Sequence, residues 1–589
     1  GGWPLTIVMT PDKDPFFAGT YFPKQGRGKQ PGMLQLIPSL ANAWSTKQGE
    51  ITKTIDRLQT YLTEMNTSTQ GEEWDEVMIQ DAFSQYASRF DPDYGGFGKA
   101  PKFPSPHNLI FLLRYSKLFG VATGKTMVEK TLHQMRLGGV FDHIGLGFHR
   151  YSTDKRWFLP HFEKMLYDQA MISMAFLETY QLTNNENYAK VAREIFTYVL
   201  RDMTDKDGGF YSAEDADSEG EEGIFYIWTE EELVKILGKD DALKLAKTFG
   251  FIDGGNFFEE ASGQTTGNNI PYFQDDRETL AKNLDMSLDD FNAFIEKSRQ
   301  KLFEVREKRI HPLKDDKILT DWNGLMIAAL SQGGQVLGDD IYIDAAKNAV
   351  NFVLESLRDK NGKLLKRSRL GKSGLQPHLD DYSFMVFGLL NLYEATFDPS
   401  YLTSALELTE IMIADFSDKN GGFFIGSKDA EKLMVRAKDS YDGAIPSGNS
   451  VAALNLFRLG KITGNTKWTD LGYSTLQAFT DKAKQSPTGF AHMLTAFMFD
   501  FKNPKEVVLV GDSNDPETQK IINALRKNYS PNKVILFKDV SNPDALLQVA
   551  PWTADHVMLN ESPTFYICEN FACKQPTTSL DLAMKYINE

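Results

Sequence analysis

The sequence has few of the features that build redox, metal-binding or nucleic-acid-binding proteins. Cys568 and Cys573 are its only cysteines among 589 residues, which excludes a network of disulfides and a tetrathiolate metal site. Lys and Arg number 64 against 80 Asp and Glu, so the formal net charge is −16. Because nucleic-acid surfaces and polybasic membrane patches need concentrated positive charge, we expect neither nucleic acid nor a membrane as a partner.

Long apolar runs and cofactor motifs are also absent. No run approaches the roughly 18 apolar residues that span a bilayer, and no signal peptide is visible, so we expect a cytoplasmic protein. The sequence contains no Gly-x-Gly-x-x-Gly and no Lys-bearing phosphate loop, and we predict no cofactor. Because the chain starts at Gly1 and runs at once into a strand-like segment, we also expect further sequence upstream.

The first 70 residues have the pattern of half a domain. Residues 5–10 and 16–22 are predicted strands joined by a turn that contains Pro11 and Pro15, and apolar residues between 34 and 62 then follow helical spacing. Two strands and a helix do not close a core, and the order resembles the C-terminal half of a thioredoxin fold. In that fold the proline before the strand, here Pro4, is cis; alternatively, Pro4 simply starts an edge strand.

Residues 74–501 alternate helical stretches with short Gly-rich hairpins. About twelve helices are predicted, with an insertion near 230–308. They are 76–90, 107–119, 125–137, 162–182, 188–203, 289–307, 321–336, 341–357, 381–397, 401–416, 449–459 and 468–483. The motif Asp-x-x-Gly-Gly-Phe, or a relative of it, recurs between them roughly every 50–60 residues, with one longer gap that holds the insertion. The copies start at Asp93, Asp142, Asp205, Asp359 and Asp418. Six helical hairpins predict an (α/α)6 toroid, with an open solenoid as the alternative.

Polar and aromatic residues gather just before the predicted inner helices, which would surround one mouth of the toroid. Capping of helix N-termini explains many of them. Aromatic faces beside carboxylates and amides also suit a sugar ring, so we predict a carbohydrate site there. The predicted substrate-binding residues are Asp142, Tyr167, Trp322, Asn323, Tyr382, Ser447 and Asn449.

Two chemistries fit such a mouth. Glycoside hydrolysis would use two carboxylates as acid and base, from Asp142, Glu163, Asp215, Asp217, Asp321 and Asp381. Epimerisation or isomerisation would use histidines that move a proton beside a carbonyl, from His143, His149, His161 and His378, although each of these also fits a structural role. His161 and Glu163 with His149 could ligate a metal only with an extended backbone there, and we predict no metal site.

Seven long motifs lie along the chain in one order: residues 1–5, 19–23, 95–104, 138–143, 160–168, 212–217 and 319–324. Together they resemble the thioredoxin-domain-containing family related to spermatogenesis-associated protein 20, also called DUF255 proteins. The resemblance implies a thioredoxin-like domain, then a six-hairpin toroid similar to N-acylglucosamine 2-epimerases and six-hairpin glycosidases. It also implies a Cys-x-x-Cys upstream of Gly1, which this chain lacks.

The remaining segment, 502–589, is predicted to be a small α/β extension. Strands at 507–511, 533–537 and 565–568 flank a helix at 515–528. Cys568 and Cys573 are predicted to be reduced packing residues, with a redox or metal role as the alternative. The whole chain is therefore expected to be mainly α, and its leading predicted function is sugar epimerisation or isomerisation. A glycoside hydrolase and a non-catalytic toroid that binds sugar or protein are the alternatives.

Overall fold

The structure, a computed structural model, describes residues 4–66, 70–258 and 265–589. Its N-terminal segment pairs the antiparallel strands Thr6–Met9 and Pro15–Gly19, followed by the helices Met33–Thr46 and Gln48–Asn66. These elements agree with the prediction, but apolar side chains on them stay in solvent, such as Ile7 at 50% and Ile37 at 61% exposure. The Trp3–Pro4 bond lies outside the described residues. The assignment of 1–70 to a thioredoxin-like domain therefore stays a prediction, as do the other domain boundaries.

Twelve helices within the described residues form two concentric rings. They are α1 (Glu76–Arg89), α2 (Pro106–Phe119), α3 (Ala122–Leu137), α4 (Leu166–Thr183), α5 (Glu186–Asp202), α6 (Thr320–Leu337), α7 (Asp340–Ser356), α8 (Leu379–Thr396), α9 (Pro399–Phe416), α10 (Gly448–Thr463), α11 (Thr466–Gln477) and α12 (Ala491–Phe501). The even-numbered helices form the inner ring, in which each packs on the next and α12 packs back on α2. Because the ring closes, the fold is the predicted (α/α)6 toroid and not an open solenoid.

One predicted ring helix belongs elsewhere. The helix Leu288–Arg306 packs with Glu230–Leu237, Lys239–Thr248 and Arg277–Asn283 in the insertion between α5 and α6, around a separate apolar core. The twelfth ring helix is α12, for which no helix was predicted. Its short, mostly apolar sequence lacks the amphipathic spacing that marks a surface helix, because residues 491–499 are all buried.

The inner helices α6 and α8 cross very closely, and two glycines allow it. A Cβ on Gly324 would lie 2.5 Å from the carbonyl of Phe384, and one on Gly388 would lie 2.8 Å from the carbonyl oxygen of Gly324. Only glycine fits such a backbone approach. The crossing brings the N-terminal ends of α6 and α8 together, and with them Asp321 and Asp381.

The C-terminal extension is a four-stranded sheet packed against the toroid. Lys505–Gly511 runs parallel to Lys533–Asp539 and antiparallel to Thr564–Glu569, which pairs with Ala572–Cys573. The helices Pro516–Lys527 and Leu580–Asn588 belong to the same unit.

The prediction of reduced cysteines is wrong. Cys568 and Cys573 face each other on adjacent strands and form a disulfide. No helix in the described ranges is long and apolar enough to cross a membrane. The expected cytoplasmic location stays a prediction.

Candidate functional site

The six inner helices all begin at one end of the toroid, because each alternates with an outer helix that returns the chain. The free backbone N–H groups of six helix N-termini therefore point toward one mouth, where they favour negative charge. Two groups of side chains lie there. One lies at the starts of α6 and α8, and the other lies between the starts of α2, α4, α10 and α12.

The first group, called here the Asp321 cluster, consists of Asp321, Lys366, His378, Asp380 and Asp381. Lys366 Nζ lies 2.6 Å from Asp321 Oδ2 and 3.1 Å from Asp381 Oδ1. Asp381 also accepts the backbone N–H groups of Asp321 at 3.2 Å and His378 at 2.7 Å. The cluster thus places the carboxyl groups of Asp321 and Asp381 on one mostly buried ammonium group, and Asp380 adjoins Asp381 in the chain.

Burial dominates the electrostatics of this cluster. It raises the pKa of Asp380 to about 7, and the negative charge of Asp321 adds to the effect. Burial and Asp321 likewise hold the pKa of Asp381 well above its usual range. Burial alone would lower the pKa of Lys366, but Asp381 and Asp321 outweigh it and raise the pKa. Burial and the charge of Lys366 lower the pKa of His378, which favours a neutral ring.

The second group lines a cavity of about 510 Å³, called here the Arg150 cavity. Its polar wall includes Arg150, Tyr167, Asp168 and Asp442, and Phe103 supplies an apolar face. Asp168 is only 4% exposed, and its Oδ2 has no hydrogen-bond partner among the described residues. Burial therefore holds the pKa of Asp168 well above its usual range. Burial also raises the pKa of Asp442 to about 6.

A chain of ion pairs leads from Glu222, at the protein surface, through His161 and Glu163 to Arg150 in the cavity wall. His161 Nδ1 lies 2.7 Å from Glu222 and its Nε2 3.2 Å from Glu163, which also pairs with Arg150 at 2.8 Å. Burial disfavours a charged imidazole, but hydrogen bonds with both glutamates raise the pKa of His161 to about 9. His161 is therefore an imidazolium at neutral pH.

An aromatic pair joins the two groups. Tyr167, in the wall of the Arg150 cavity, meets Trp322 edge-on with ring centroids 4.8 Å apart. Trp322 follows Asp321 directly in the chain and is partly exposed. The two groups are thus neighbouring parts of one mouth.

Seven of the fifteen residues predicted as catalytic or substrate-binding lie along this connected path: His161, Glu163, Tyr167, Asp321, Trp322, His378 and Asp381. The others lie elsewhere or use their polar atoms inside the protein. Asp215 and Asp217 lie on an exposed hairpin, where Asp215 accepts the N–H of Ala216.

Asp142 and His143 lie under the insertion. Both Asp142 oxygens bind Arg306 at 2.9 Å, and Oδ2 also lies 2.7 Å from Lys164 Nζ. His143 is 4% exposed, with Nε2 3.0 Å from the carbonyl oxygen of Gly138. These contacts tie the insertion to the toroid.

His149, a further predicted base, is also buried. Its Nδ1 lies 2.9 Å from the carbonyl oxygen of Phe162, and burial lowers the pKa of His149 to about 3. The ring is therefore neutral at any physiological pH and packs within the protein.

Four inner-helix side chains clamp the Gly-rich hairpins. Asn323 accepts the N–H of Phe210 at 2.8 Å and donates to its carbonyl oxygen at 3.0 Å. Asn449 makes the same pair of bonds with Phe423, at 2.8 and 2.9 Å. Gln169 repeats them with Phe148, and the hydroxyl of Tyr382 accepts the N–H of Leu364. Ser447 caps α10 by accepting the N–H of Ser450.

Sequence reasoning missed five mouth residues: Arg150, Asp168, Lys366, Asp380 and Asp442. Asp380 directly precedes the predicted Asp381, and Asp168 is the last residue of the 160–168 motif. Both could therefore have been predicted from the sequence. The other three stand in loops without a local pattern. The described residues contain one group with metal-ligand spacing, His556 with Cys568 and Cys573, and it lies in the extension.

Comparisons with known proteins agree on the family. A family model described as "Protein of unknown function, DUF255" (Thioredox_DsbH) matches residues 1–63. Spermatogenesis-associated protein 20 of Homo sapiens is 34% identical over 98% of this chain and 78% of its own length. An uncharacterized protein of Caenorhabditis elegans is 30% identical over 100% of this chain and 84% of its own length.

Solved structures with low sequence identity resemble the toroid. A cellobiose 2-epimerase from Bacillus thermoamylovorans is 11% identical, covers 72% of this chain and 99% of its own, and has a TM-score of 0.45. A GH76 α-mannanase from Bacteroides thetaiotaomicron is 12% identical, covers 72% and 93%, and has a TM-score of 0.42. Similarity at this level does not identify a reaction.

Proposed function

The chain belongs to the spermatogenesis-associated protein 20 family, and for this member we propose that the toroid mouth is the active site of a carbohydrate-directed enzyme with Asp380 as general acid. The observation that carries the proposal is the pKa of Asp380, raised to about 7 by burial and by Asp321. A carboxyl group with a pKa near the working pH transfers protons efficiently in both directions. The side chain also keeps some contact with solvent, so a substrate can reach it.

The different surroundings of Asp380 and Asp321 support the roles of acid and base for these two carboxyl groups. Lys366 holds Asp321 in an ion pair, whereas the pKa of Asp380, at about 7, leaves a large share of this carboxyl group protonated at neutral pH. Carboxyl groups whose environments differ in this way provide the acid and the base of glycoside hydrolysis. Asp380 would protonate the leaving glycosidic oxygen, and Asp321 would activate water or attack the anomeric carbon.

The surrounding side chains suit a sugar. Trp322 and Tyr167 offer aromatic faces for the C–H faces of a pyranose ring. Arg150 Nε and Asp168 Oδ2, which have no partner among the described residues, offer hydrogen bonds to its hydroxyl groups. The Arg150 cavity, at about 510 Å³, falls within the usual size of a small-ligand pocket. We propose that this cavity holds the sugar next to the bond that reacts.

Epimerisation or isomerisation is the second candidate, and His378 favours it. The ring of His378 is exposed at the mouth, and its lowered pKa makes it a neutral base two residues from Asp380. A neutral imidazole could remove a proton beside a sugar carbonyl while Asp380 protonates the oxygen. Both reactions therefore depend on Asp380 and differ in the residue that acts with it.

Incubation with aryl glycosides, oligosaccharides, free aldoses and ketoses, and N-acyl amino sugars in D₂O tests the proposal by ¹H NMR. Hydrolysis releases new reducing ends, whereas epimerisation exchanges the proton beside the carbonyl for deuterium. Asp380→Asn should abolish either signal, and the exposed Asp215→Asn should leave it unchanged. Sugar-dependent thermal stabilisation without turnover across the panel would instead favour a binding toroid and reject the enzyme.

A further inference from the structure

The disulfide Cys568–Cys573 lies next to a buried histidine, His556. His556 Nε2 is 3.9 Å from Cys573 Sγ, and all three ligand atoms of His556, Cys568 and Cys573 lie within 4.8 Å of one another. His556 Nδ1 is buried and has no hydrogen-bond partner among the described residues. In the part of the chain that the structure describes, the disulfide sulfur is the one hydrogen-bond partner of this imidazole, which points to chemistry at that sulfur.

The position of His556 is fixed by an unusual anchor. The buried ammonium group of Lys538 donates to the carbonyl oxygens of Thr553, Ala554 and His556 at 2.8–2.9 Å. The ring of His556 stacks on Tyr566 with centroids 4.1 Å apart. These contacts hold the imidazole against the disulfide.

The cross-link contributes little to holding its own hairpin. Cys568 and Cys573 are separated by four residues, and the strands are already paired by backbone hydrogen bonds in that register. Because a disulfide stabilises mainly by closing a loop in the unfolded chain, so short a loop gains least from it. Cys568 is 1% exposed, whereas Cys573 is exposed to solvent. One sulfur is therefore open to attack, and the other is a buried leaving group.

We propose that Cys568–Cys573 is a thiol–disulfide exchange site that accepts two electrons from a dithiol, with His556 as its proton carrier. A thiol of the dithiol loses its proton to His556 Nε2 and attacks Cys573 Sγ, which breaks the Cys568–Cys573 bond. Cys568 leaves as a thiolate and takes the proton from His556. The second thiol of the dithiol then attacks the mixed disulfide in the same way and releases Cys573. The dithiol ends as a disulfide, and the protein gains two thiols.

Reduction of the disulfide would also affect the toroid, because the turn between the two cysteines contacts the inner helix α10. Lys461 of α10 donates to Asn570 Oδ1 at 2.7 Å, and Phe571 packs edge-on against Trp552, which donates to the carbonyl oxygen of Ile462. The hairpin is thus the part of the extension where a redox change meets an inner helix. The exchange step itself does not depend on the reaction proposed for the mouth.

The test uses the full native chain in mixtures of reduced and oxidised dithiothreitol, followed by acid quench, alkylation and mass spectrometry of the cysteine peptides. We expect reversible, two-electron reduction while circular dichroism stays native. A protein dithiol of the thioredoxin type, used at the same thiol concentration, distinguishes the source: faster exchange than with dithiothreitol indicates a protein reductant, and equal rates indicate a small one. A disulfide reduced only after urea unfolds the chain would overturn the proposal.

His556→Gln tests the proton carrier. General acid–base assistance is typically worth about 100-fold in rate, and we expect a loss of that order in the exchange rate. His311→Gln, a change at a histidine in a different domain, is the control and should leave the rate unchanged. Equal rates in wild type and His556→Gln, with both folded, would remove His556 from the mechanism. Cys573→Ser should leave Cys568 unreactive toward the alkylating agent in the folded protein, because its sulfur is buried.

Discussion

Lys366 and Asp321 form an ion pair of 2.6 Å across 45 residues of sequence, between a loop that follows α7 and the first turn of α6. The pair is mostly buried, and Asp381 shares the same ammonium group at 3.1 Å. Two carboxylates from neighbouring inner helices would repel each other without this cation. Lys366 therefore offsets this repulsion where α6 and α8 begin, at the mouth.

Removal of this cation should be costly. Lys366→Met leaves Asp321 and Asp381 facing each other in a buried site, and we expect a loss of about 3–5 kcal/mol in the free energy of unfolding at pH 8. The loss should shrink at pH 5, because the folded state then keeps protons on the carboxyl groups. Urea unfolding at the two pH values measures it. Lys372→Met, in the same loop but exposed, should change stability by less than about 0.5 kcal/mol.

Asp380 should make stability fall as pH rises. Its pKa is about 7 in the folded protein against a usual 3.8, so the folded state binds the extra proton between these values. Wild type therefore loses stability from pH 4 to pH 8, and Asp380→Asn removes that loss. We expect the variant to be more stable at pH 8 by on the order of 2 kcal/mol, after allowance for solvent contact, and equal near pH 4. A variant that is less stable at pH 8 would contradict the assignment.

Asp142 should behave as a structural residue. Burial opposes its ionisation, but Arg306 and Lys164 outweigh burial and hold the pKa of Asp142 well below its usual range. Asp142→Asn leaves two buried cations without their partner, and we expect a loss of about 3–5 kcal/mol at pH 7. The ionised Asp142 stabilises the protein at every pH above the pKa that Asp142 has in the unfolded chain. This stabilisation is lost as the pH falls through the lower pKa of Asp142 in the folded protein. Asp215→Asn, measured in the same urea series, should be nearly neutral.

The hairpin clamps should also contribute to stability. Asn323→Ala leaves the N–H and carbonyl oxygen of Phe210 buried without partners, and we expect a loss of about 2–4 kcal/mol. Asn361→Ala, in an exposed loop, should change stability by less than about 0.5 kcal/mol. Thermal and urea unfolding of both variants make the comparison. An Asn323→Ala variant with full stability but weaker sugar binding would show that Asn323 binds substrate and does not stabilise the hairpin through Phe210.

The toroid could be predicted because its signals are local. Helical spacing and the Asp-x-x-Gly-Gly-Phe hairpins repeat along the chain, so eleven of the twelve ring helices were visible in the sequence. The exception, α12, is short and buried along most of its length, and the insertion helix Leu288–Arg306 was predicted in its place.

The site was harder, because residue type alone does not reveal contacts between distant segments. Asn323 and Asn449 have the chemistry of sugar ligands, yet their amides hold the neighbouring hairpins. Asp142 looks like an acid at a mouth, but Arg306, 164 residues away, converts it into a structural anchor. Lys366 stands in a loop without any pattern, and only the folded chain brings it to Asp321.

The most direct test of the proposed active site is the titration of Asp380 itself. In protein labelled with ¹³C at the aspartate carboxyl carbon, the Asp380 resonance is the one that disappears in Asp380→Asn. The proposal predicts that this resonance titrates with a midpoint near pH 7, well above the usual aspartate value of 3.8. A midpoint near 4 would contradict it, because Asp380 would then be a carboxylate at neutral pH and could not serve as the general acid.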